Sequence, residues 1–232
     1  MNEAEFRRWN EEMVARFPSV DYYEHSHPVV RWIEGRRLAF LAREVDRLAP
    51  ASVLEVGCGA CHVLARMKAK LRVGTDISPA MLSASAERTA GQSIRLVQAD
   101  ARKLPFADGC FDAVVCTEVL EHVPDPAGIV DEVHRVLRPR GIAIFTVPCE
   151  GMIDAVKKVL AFLGLDRRLF SNVAELRAKG WHLHVFTLGS FVKLLAGRFR
   201  IRSIRRLPFV PLVLRYAAVC VSREGGTGGS SP

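Results

Sequence analysis

Ser52-Val53-Leu54-Glu55-Val56-Gly57-Cys58-Gly59-Ala60-Cys61-His62 is the stretch whose reading decides the fold. Val53, Leu54 and Val56 form a short apolar run of the kind that makes a buried strand. The run ends in small residues, where Gly57 and Gly59 let the backbone turn sharply and approach a ligand that a Cβ would obstruct. A helical pattern follows from Val63, expected over 62–69. Strand, glycine turn and helix start together build nucleotide pockets in α/β sheets.

Outward from this stretch, strands and helices alternate. Strands are expected at 52–57, 71–76, 93–99, 111–116 and 141–147. Helices are expected at 79–90, behind Ser78-Pro79, and at 126–138, where Ile129, Val130, Val133, Val136 and Leu137 form one stripe. This rhythm predicts an α/β fold, a doubly wound and mostly parallel sheet with helices on both faces. Upstream, helices are expected at 2–16 and 28–48, the second carried by Val29, Val30, Ile33, Leu41, Val45 and Leu48. Downstream, an apolar helix at 152–163 with Lys157 and Lys158 on its other face interrupts the rhythm, and a short helix at 172–179 is expected after it. A helix at 188–197 capped by Thr187 and strands at 199–206 and 213–222 close the sheet. One domain is expected over 1–224: an N-terminal helical lid (1–50), a core (50–148), a lid or acceptor insertion (149–186) and closing elements (187–224). The glycine-rich 225–232 is read as a flexible tail.

Glu55-Val-Gly57-Cys-Gly59-Ala-Cys61 resembles motif I of the class I S-adenosylmethionine (SAM)-dependent methyltransferases, with Cys61 where the pattern has a third glycine. Thr117-Glu118-Val-Leu-Glu121-His122-Val resembles the segment after strand four in small-molecule members of that family, the type 11, quinone-biosynthesis-like group. The resemblance implies seven strands in the order 3-2-1-4-5-7-6 with an antiparallel last strand. It also implies SAM as the cofactor. Glu55, Gly57, Cys58 and Gly59 would meet its methionine end and ribose, and Asp76 with Ile77 the ribose hydroxyls. Asp100 and Ala101 would meet the adenine, and Thr117 and Glu118 the methionine part. His122 is the candidate catalytic residue, because its unperturbed pKa suits it to take a proton from an acceptor. A base is optional, since transfer from a sulfonium demands chiefly in-line alignment.

Other patterns lead elsewhere and fail. Gly57-x-Gly59 begins a dinucleotide fingerprint, but position 62 is His. Cys58-Gly-Ala-Cys61-His62 spells the haem-attachment pattern, yet the charged N-terminus is not a signal peptide. Zinc on Cys58 and Cys61 would need a second pair of ligands, and no second C-x-x-C exists. His182 and His184 would share a face if extended, and structural or substrate-orienting roles suit them better than metal; no metal is expected. Tyr22, Tyr23, His25 and His27 sit where a lid would cover the cofactor.

The 232 residues, 49% hydrophobic and 25% charged, are enough for one α/β domain with a substantial core. No run approaches the roughly 20 apolar residues of a membrane span, and a cytoplasmic location with reduced cysteines is expected. The net charge of +8 leaves open an acidic acceptor, peripheral contact with an anionic membrane, RNA, or a solvated basic face. Nucleic acid is disfavoured, because Cys116-Thr-Glu-Val replaces the N/D-P-P-aromatic signature of base N-methylation. The expected reaction is methylation of a hydrophobic or acidic small molecule, such as a quinone, lipid or polyketide precursor. The alternatives are an RNA methyltransferase and a SAM-binding protein without catalysis. Oligomeric state is not set by the sequence.

Overall fold

A computed structural model describes residue 1 and residues 3–16, 26–164 and 181–223. Seven strands make one sheet: β1 (Ser52–Val56), β2 (Leu71–Asp76), β3 (Arg95–Gln98), β4 (Phe111–Thr117), β5 (Leu137–Pro148), β6 (Phe199–Pro208) and β7 (Val213–Ser222). Their order is β3-β2-β1-β4-β5-β7-β6. The first five run parallel, and β7 runs antiparallel to both β5 and β6.

β1 is the centre of this sheet because its side chains can be buried on both faces. Leu54 and Val56 face one apolar layer with Val114, Cys116 and Phe145. Val53 faces the other with Ala113, Val115 and Ile144. The period of two in these strands thus assigns alternate residues to alternate cores. Burying each such Val or Leu contributes about 1.5–3 kcal/mol.

Helices α1 (Glu3–Arg16), α2 (Pro28–Asp46), α3 (Pro79–Arg88), α4 (Pro126–Val136), α5 (Glu150–Phe162) and α6 (Leu188–Ala196) surround the sheet. Their starts follow from local chemistry. Ser78 accepts the Met81 amide at 3.2 Å, and Asp125 accepts the Gly128 amide at 3.0 Å, each followed by proline at the first helical position. Thr187 and Ser190 form a reciprocal capping box at α6. All four buried apolar positions of α4 (Ile129, Val130, Val133 and Val136) were in its expected stripe.

Four expectations change. The helix at 62–69 is only a 3-10 turn, Leu64–Arg66. The glycine turn runs on through Cys61 at φ +59°, and Met67 is already extended toward β2, which leaves too few residues for an α-helix. β5 begins at Leu137 rather than 141, since Leu137 pairs with Phe111 before Arg140 (φ +64°) and Gly141 take up a register shift. In α2 the buried face is Val30, Glu34, Arg37, Leu38, Leu41 and Val45, whereas Val29 and Leu48 are exposed. β3 is shorter than expected, Arg95–Gln98. Tyr22, Tyr23, His25, the helix at 172–179 and the tail at 225–232 lie outside the described residues. No helix among the described residues is long and apolar enough to cross a membrane.

Candidate functional site

In an open parallel sheet, ligands bind beyond the carboxyl ends of the strands, where the strand order reverses. Here β2 and β4 leave β1 on opposite sides, and the ends of β1 to β4 open on one cavity of about 340 Å³. That is a volume suited to a small organic ligand. The β1 turn contributes Glu55, Gly57, Cys58 and Gly59 to its lining, and the end of β2 contributes Asp76 and Ile77. Asp100 and Ala101 follow β3, while Thr117, Glu118 and His122 follow β4. Every residue singled out in the sequence for the cofactor or for proton transfer therefore faces one space.

Gly57 and Gly59 hold φ values of +65° and +49°. A Cβ on Gly57 would stand 2.4 Å from Val119 Cγ2, so this glycine is required by space as well as by conformation. Gly57→Ala is expected to lower stability by about 1–3 kcal/mol. A urea midpoint equal to that of the wild type would show that Val119 yields.

Asp76 fastens this turn to β2. Its Oδ2 accepts the Gly59 amide at 2.8 Å and its Oδ1 the Ser78 amide at 2.9 Å. An ionised carboxylate offers about four acceptor positions, so with the Ile77 amide also directed at it about one remains for a ligand. Burial raises the Asp76 pKa, and the bonds from the Ser78, Gly59 and Ile77 amides only partly offset that. Glu55 is buried behind the turn and accepts the Leu64 amide at 3.0 Å; burial, reinforced by Cys61, pushes its carboxyl well up. Asp100 differs from Asp76. Arg102 donates through its amide (2.9 Å), Nε and Nη2 to both carboxylate oxygens, which fills the capacity of Asp100. Burial pushes that carboxyl up, but the bonds from Arg102 outweigh it and hold it low.

On the other side of the turn lies an ion network that the sequence reading missed. Glu118, at φ +56°, accepts Thr146 Oγ1 at 2.7 Å and Arg215 Nε at 2.8 Å. Arg215 also reaches Glu34 at 2.8 Å, and Glu34 pairs with Arg37 at 2.9 Å. Glu34 and Arg37 are buried on α2, and both arginines line the cavity. Burial pushes the Glu118 carboxyl up, yet Arg215 and Arg37 together hold it below the usual range. A signal for Glu34 and Arg37 was available, since both fall on the apolar stripe of α2 marked by Val30, Leu41 and Val45. Charged residues on a core-facing stripe are rare unless paired.

The outer end of the cavity is aromatic and ionisable. His122 Nδ1 lies 3.2 Å from the Trp181 carbonyl, which can only accept, so Nδ1 carries the proton and Nε2, 3.9 Å from Glu121 Oε1, the lone pair. Burial, reinforced by His182, lowers the His122 pKa to about 4, so this imidazole is a weaker base than the unperturbed one on which the sequence expectation rested. His182 stacks edge-on to His122 at 4.8 Å between centroids and pairs through Nδ1 with Glu150. Glu121 is buried, and its Oε2 has no hydrogen-bond partner among the described residues. Burial, then the neighbouring Glu118, pushes its carboxyl well up. Glu121, His122 and His182 bring three potential ligand atoms within 4.8 Å of one another, and these are the groups able to hold a cation.

His182 and His184 do not act as a pair. The Leu183 and His184 amides both donate to the Glu121 carbonyl, which bends the segment and turns His184 toward Phe186. His27 caps α2 through Nδ1, 3.3 Å from the Val29 amide. The lid-side contribution of the N-terminus comes instead from Phe6, Asn10 and Val14 of α1.

Residues 54–145 match the family model described as "Methyltransferase domain". A ubiquinone biosynthesis O-methyltransferase of Xylella fastidiosa is 36% identical over 152 residues, which cover 63% of this chain and 58% of that protein. A ubiquinone/menaquinone biosynthesis C-methyltransferase of Desulfotalea psychrophila is 43% identical over 77 residues, 32% of this chain and 31% of that protein. The chain thus spans about half the length of the curated relatives it matches. Among solved structures, the N-methyltransferase NodS of Bradyrhizobium japonicum, in complex with S-adenosyl-L-homocysteine, superposes with a TM-score of 0.62 at 17% identity. That superposition covers 90% of this chain and 99% of NodS.

Proposed function

We propose, from the premise that residues 54–145 are a methyltransferase domain on the class I fold, that this chain transfers a methyl group from SAM to a small-molecule acceptor. One observation carries the reading. Residues from four separate strand ends (Gly57, Asp76, Ala101 and Glu118) converge on a single cavity at the point where the strand order reverses. When bound, SAM supplies a sulfonium whose methyl is ready for in-line displacement. The positive-φ glycine turn at the cavity wall and the acceptor capacity left on Asp76 fit its methionine end and its ribose. Arg37, buried and facing the cavity, suits its carboxylate. Asp100 is committed to Arg102, so the adenine contact falls to the Ala101 amide unless Arg102 turns away.

The acceptor enters beside Trp181, His182, Ile153, Lys157 and Glu150, a wall that is apolar and aromatic with one cation and one carboxylate. Its aromatic side chains favour a flat, hydrophobic molecule, and the relatives named for ubiquinone and menaquinone biosynthesis favour a quinone-like one. Positioning supplies most of the acceleration, and His122 Nε2 takes the acceptor's proton. His122→Ala is expected to lower kcat about 10–100-fold while leaving SAM affinity unchanged. Equal turnover by the two proteins would remove His122 from the chemistry. The orphan Glu121 Oε2 favours a second means of activation, a divalent cation on Glu121, His122 and His182 that polarises the acceptor oxygen. Chelation followed by re-addition of Mg²⁺, Mn²⁺ or Zn²⁺ separates the two, since only the second predicts loss and rescue.

Peripheral contact with an anionic membrane suits the outer face of α5, where Val159 and Phe162 are exposed beside Lys158. Co-flotation with anionic vesicles, absent with neutral ones, tests that contact. Incubation with methyl-labelled SAM and fractionated cell extract tests the function as a whole. Label is expected in a small, extractable acceptor. Label in RNA, or SAM binding without any turnover, would overturn it.

A further inference from the structure

We propose that Cys58 and Cys61 are a dithiol–disulfide couple whose oxidation lowers the affinity of the neighbouring pocket for the cofactor. The affinity half of this proposal rests on the reading of that pocket as a SAM site. The C-x-x-C spacing serves neither haem nor zinc, and it places two thiols in one short turn.

The geometry is that of a closed turn. The Cys61 amide donates to the Cys58 carbonyl at 2.8 Å, so residues 58–61 form a β-turn. The end residues of such a turn have Cα atoms within about 7 Å, and disulfides span about 4.4–6.8 Å. Cys58 Sγ lies 3.8 Å from the Gly59 carbonyl and 3.9 Å from the Ser85 hydroxyl, inside the same turn. The neighbouring Cys58, chiefly, holds the Cys61 thiol below its ordinary range, and Cys61, chiefly, pushes the Cys58 thiol up. Cys61 is thus the more readily ionised sulfur of the pair, and Cys58 the one that meets the cavity. The other buried cysteines differ: burial raises Cys116 and carries Cys220 to about 12.

Access is also defined. Cys58 lines the cavity, whereas Cys61 is fully buried behind it, so a small oxidant arrives through the cofactor's own space. With hydrogen peroxide, one thiolate attacks a peroxide oxygen, the O–O bond breaks, and the departing hydroxide takes up a proton to become water. The second thiol then attacks the resulting sulfenic sulfur, the S–O bond breaks, and a second water carries away the remaining thiol proton. In sum, two thiols and one peroxide give one disulfide and two waters. The new bond draws the Cys58 side chain away from the cavity wall and displaces the turn. Gly59 belongs to that turn, and its amide is held by Asp76 at 2.8 Å, so the displacement reaches the groups placed at the ribose.

The test uses the reduced full chain. SAM affinity is measured by calorimetry before and after hydrogen peroxide, and tryptic peptide 48–66 is weighed in both states. The expected result is a peptide lighter by two hydrogens and SAM affinity lowered about tenfold, both reversed by dithiothreitol. By reciprocity, saturating SAM slows the oxidation. Cys61→Ser and Cys61→Gly, the latter suited to a φ of +59°, are expected to keep the reduced affinity and to ignore peroxide. A peptide that retains both thiols overturns the proposal. So does a disulfide with unchanged affinity, or an equal loss of affinity in the two Cys61 variants. Failure of the reduced protein to bind SAM before any oxidant is added overturns the pocket reading and the affinity half with it. The peptide mass then decides by itself whether the couple exists.

Discussion

Replacing Asp76 with alanine is expected to weaken SAM binding at least about 10-fold, because the proposed charge-assisted hydrogen bond to the ribose would be worth about 1.5–3 kcal/mol. The effect has a second source. Asp76 also holds the Gly59 and Ser78 amides, so alanine releases the glycine turn from β2 as well as removing the ligand's acceptor. A urea titration separates the two, since a loss confined to the turn lowers stability by about 1–3 kcal/mol without unfolding the chain. Asp76 is the better choice over Asp100 for this test, because the carboxylate of Asp100 is already filled by Arg102. Burial raises the Asp76 pKa, so the proton that blocks the ribose arrives above the ordinary aspartate range. Affinity is therefore expected to fall as pH drops toward the raised Asp76 pKa, sooner than for an ordinary aspartate. Unaltered calorimetric affinity in Asp76→Ala would remove the ribose assignment.

The largest effect on stability is expected from Arg215. Its guanidinium lies between Glu34 and Glu118, and Arg215→Leu leaves both carboxylates without their shared cation. Breaking a buried pair from one side costs about 3–5 kcal/mol. The pH dependence should change sign with it. In the wild type the folded Glu118 pKa lies below its unfolded value near 4.5. Its contribution is therefore complete above that value and is lost as pH falls through the lowered folded pKa. Without Arg215 the same buried carboxyl titrates above its unfolded value, and stability is lost as pH rises. Thermal unfolding from pH 3 to 8 reads both slopes. A variant that stays as stable as the wild type at pH 7 would show that the network contributes no net stability.

The strands were legible because their chemistry is local. β1 reads as an apolar run closed by glycine, α3 and α4 each begin with a capping side chain and a proline, and α6 carries its own capping box. Asp76, Ala101 and Glu118 were legible for a related reason, since strand ends in a parallel sheet share one edge and motif order places them there. What the sequence hid depends on contacts distant along the chain. Arg215 reaches Glu118 across 97 positions, and no local pattern marks that pairing. The Arg102 bond that fills Asp100 is local, but it competes with a ligand, and a motif does not report competition. The helix expected at 62–69 failed because periodicity says nothing of how many residues a turn consumes before the next strand begins.

The central claim is that the cavity above β1 to β4 is shaped for an adenosyl sulfonium. Isothermal titration of the reduced wild-type protein with SAM, and separately with NADH, tests it most directly. The account predicts saturable binding of one SAM per chain at micromolar affinity or better, and no heat from NADH. Binding of NADH in place of SAM, or no binding of either, would contradict it.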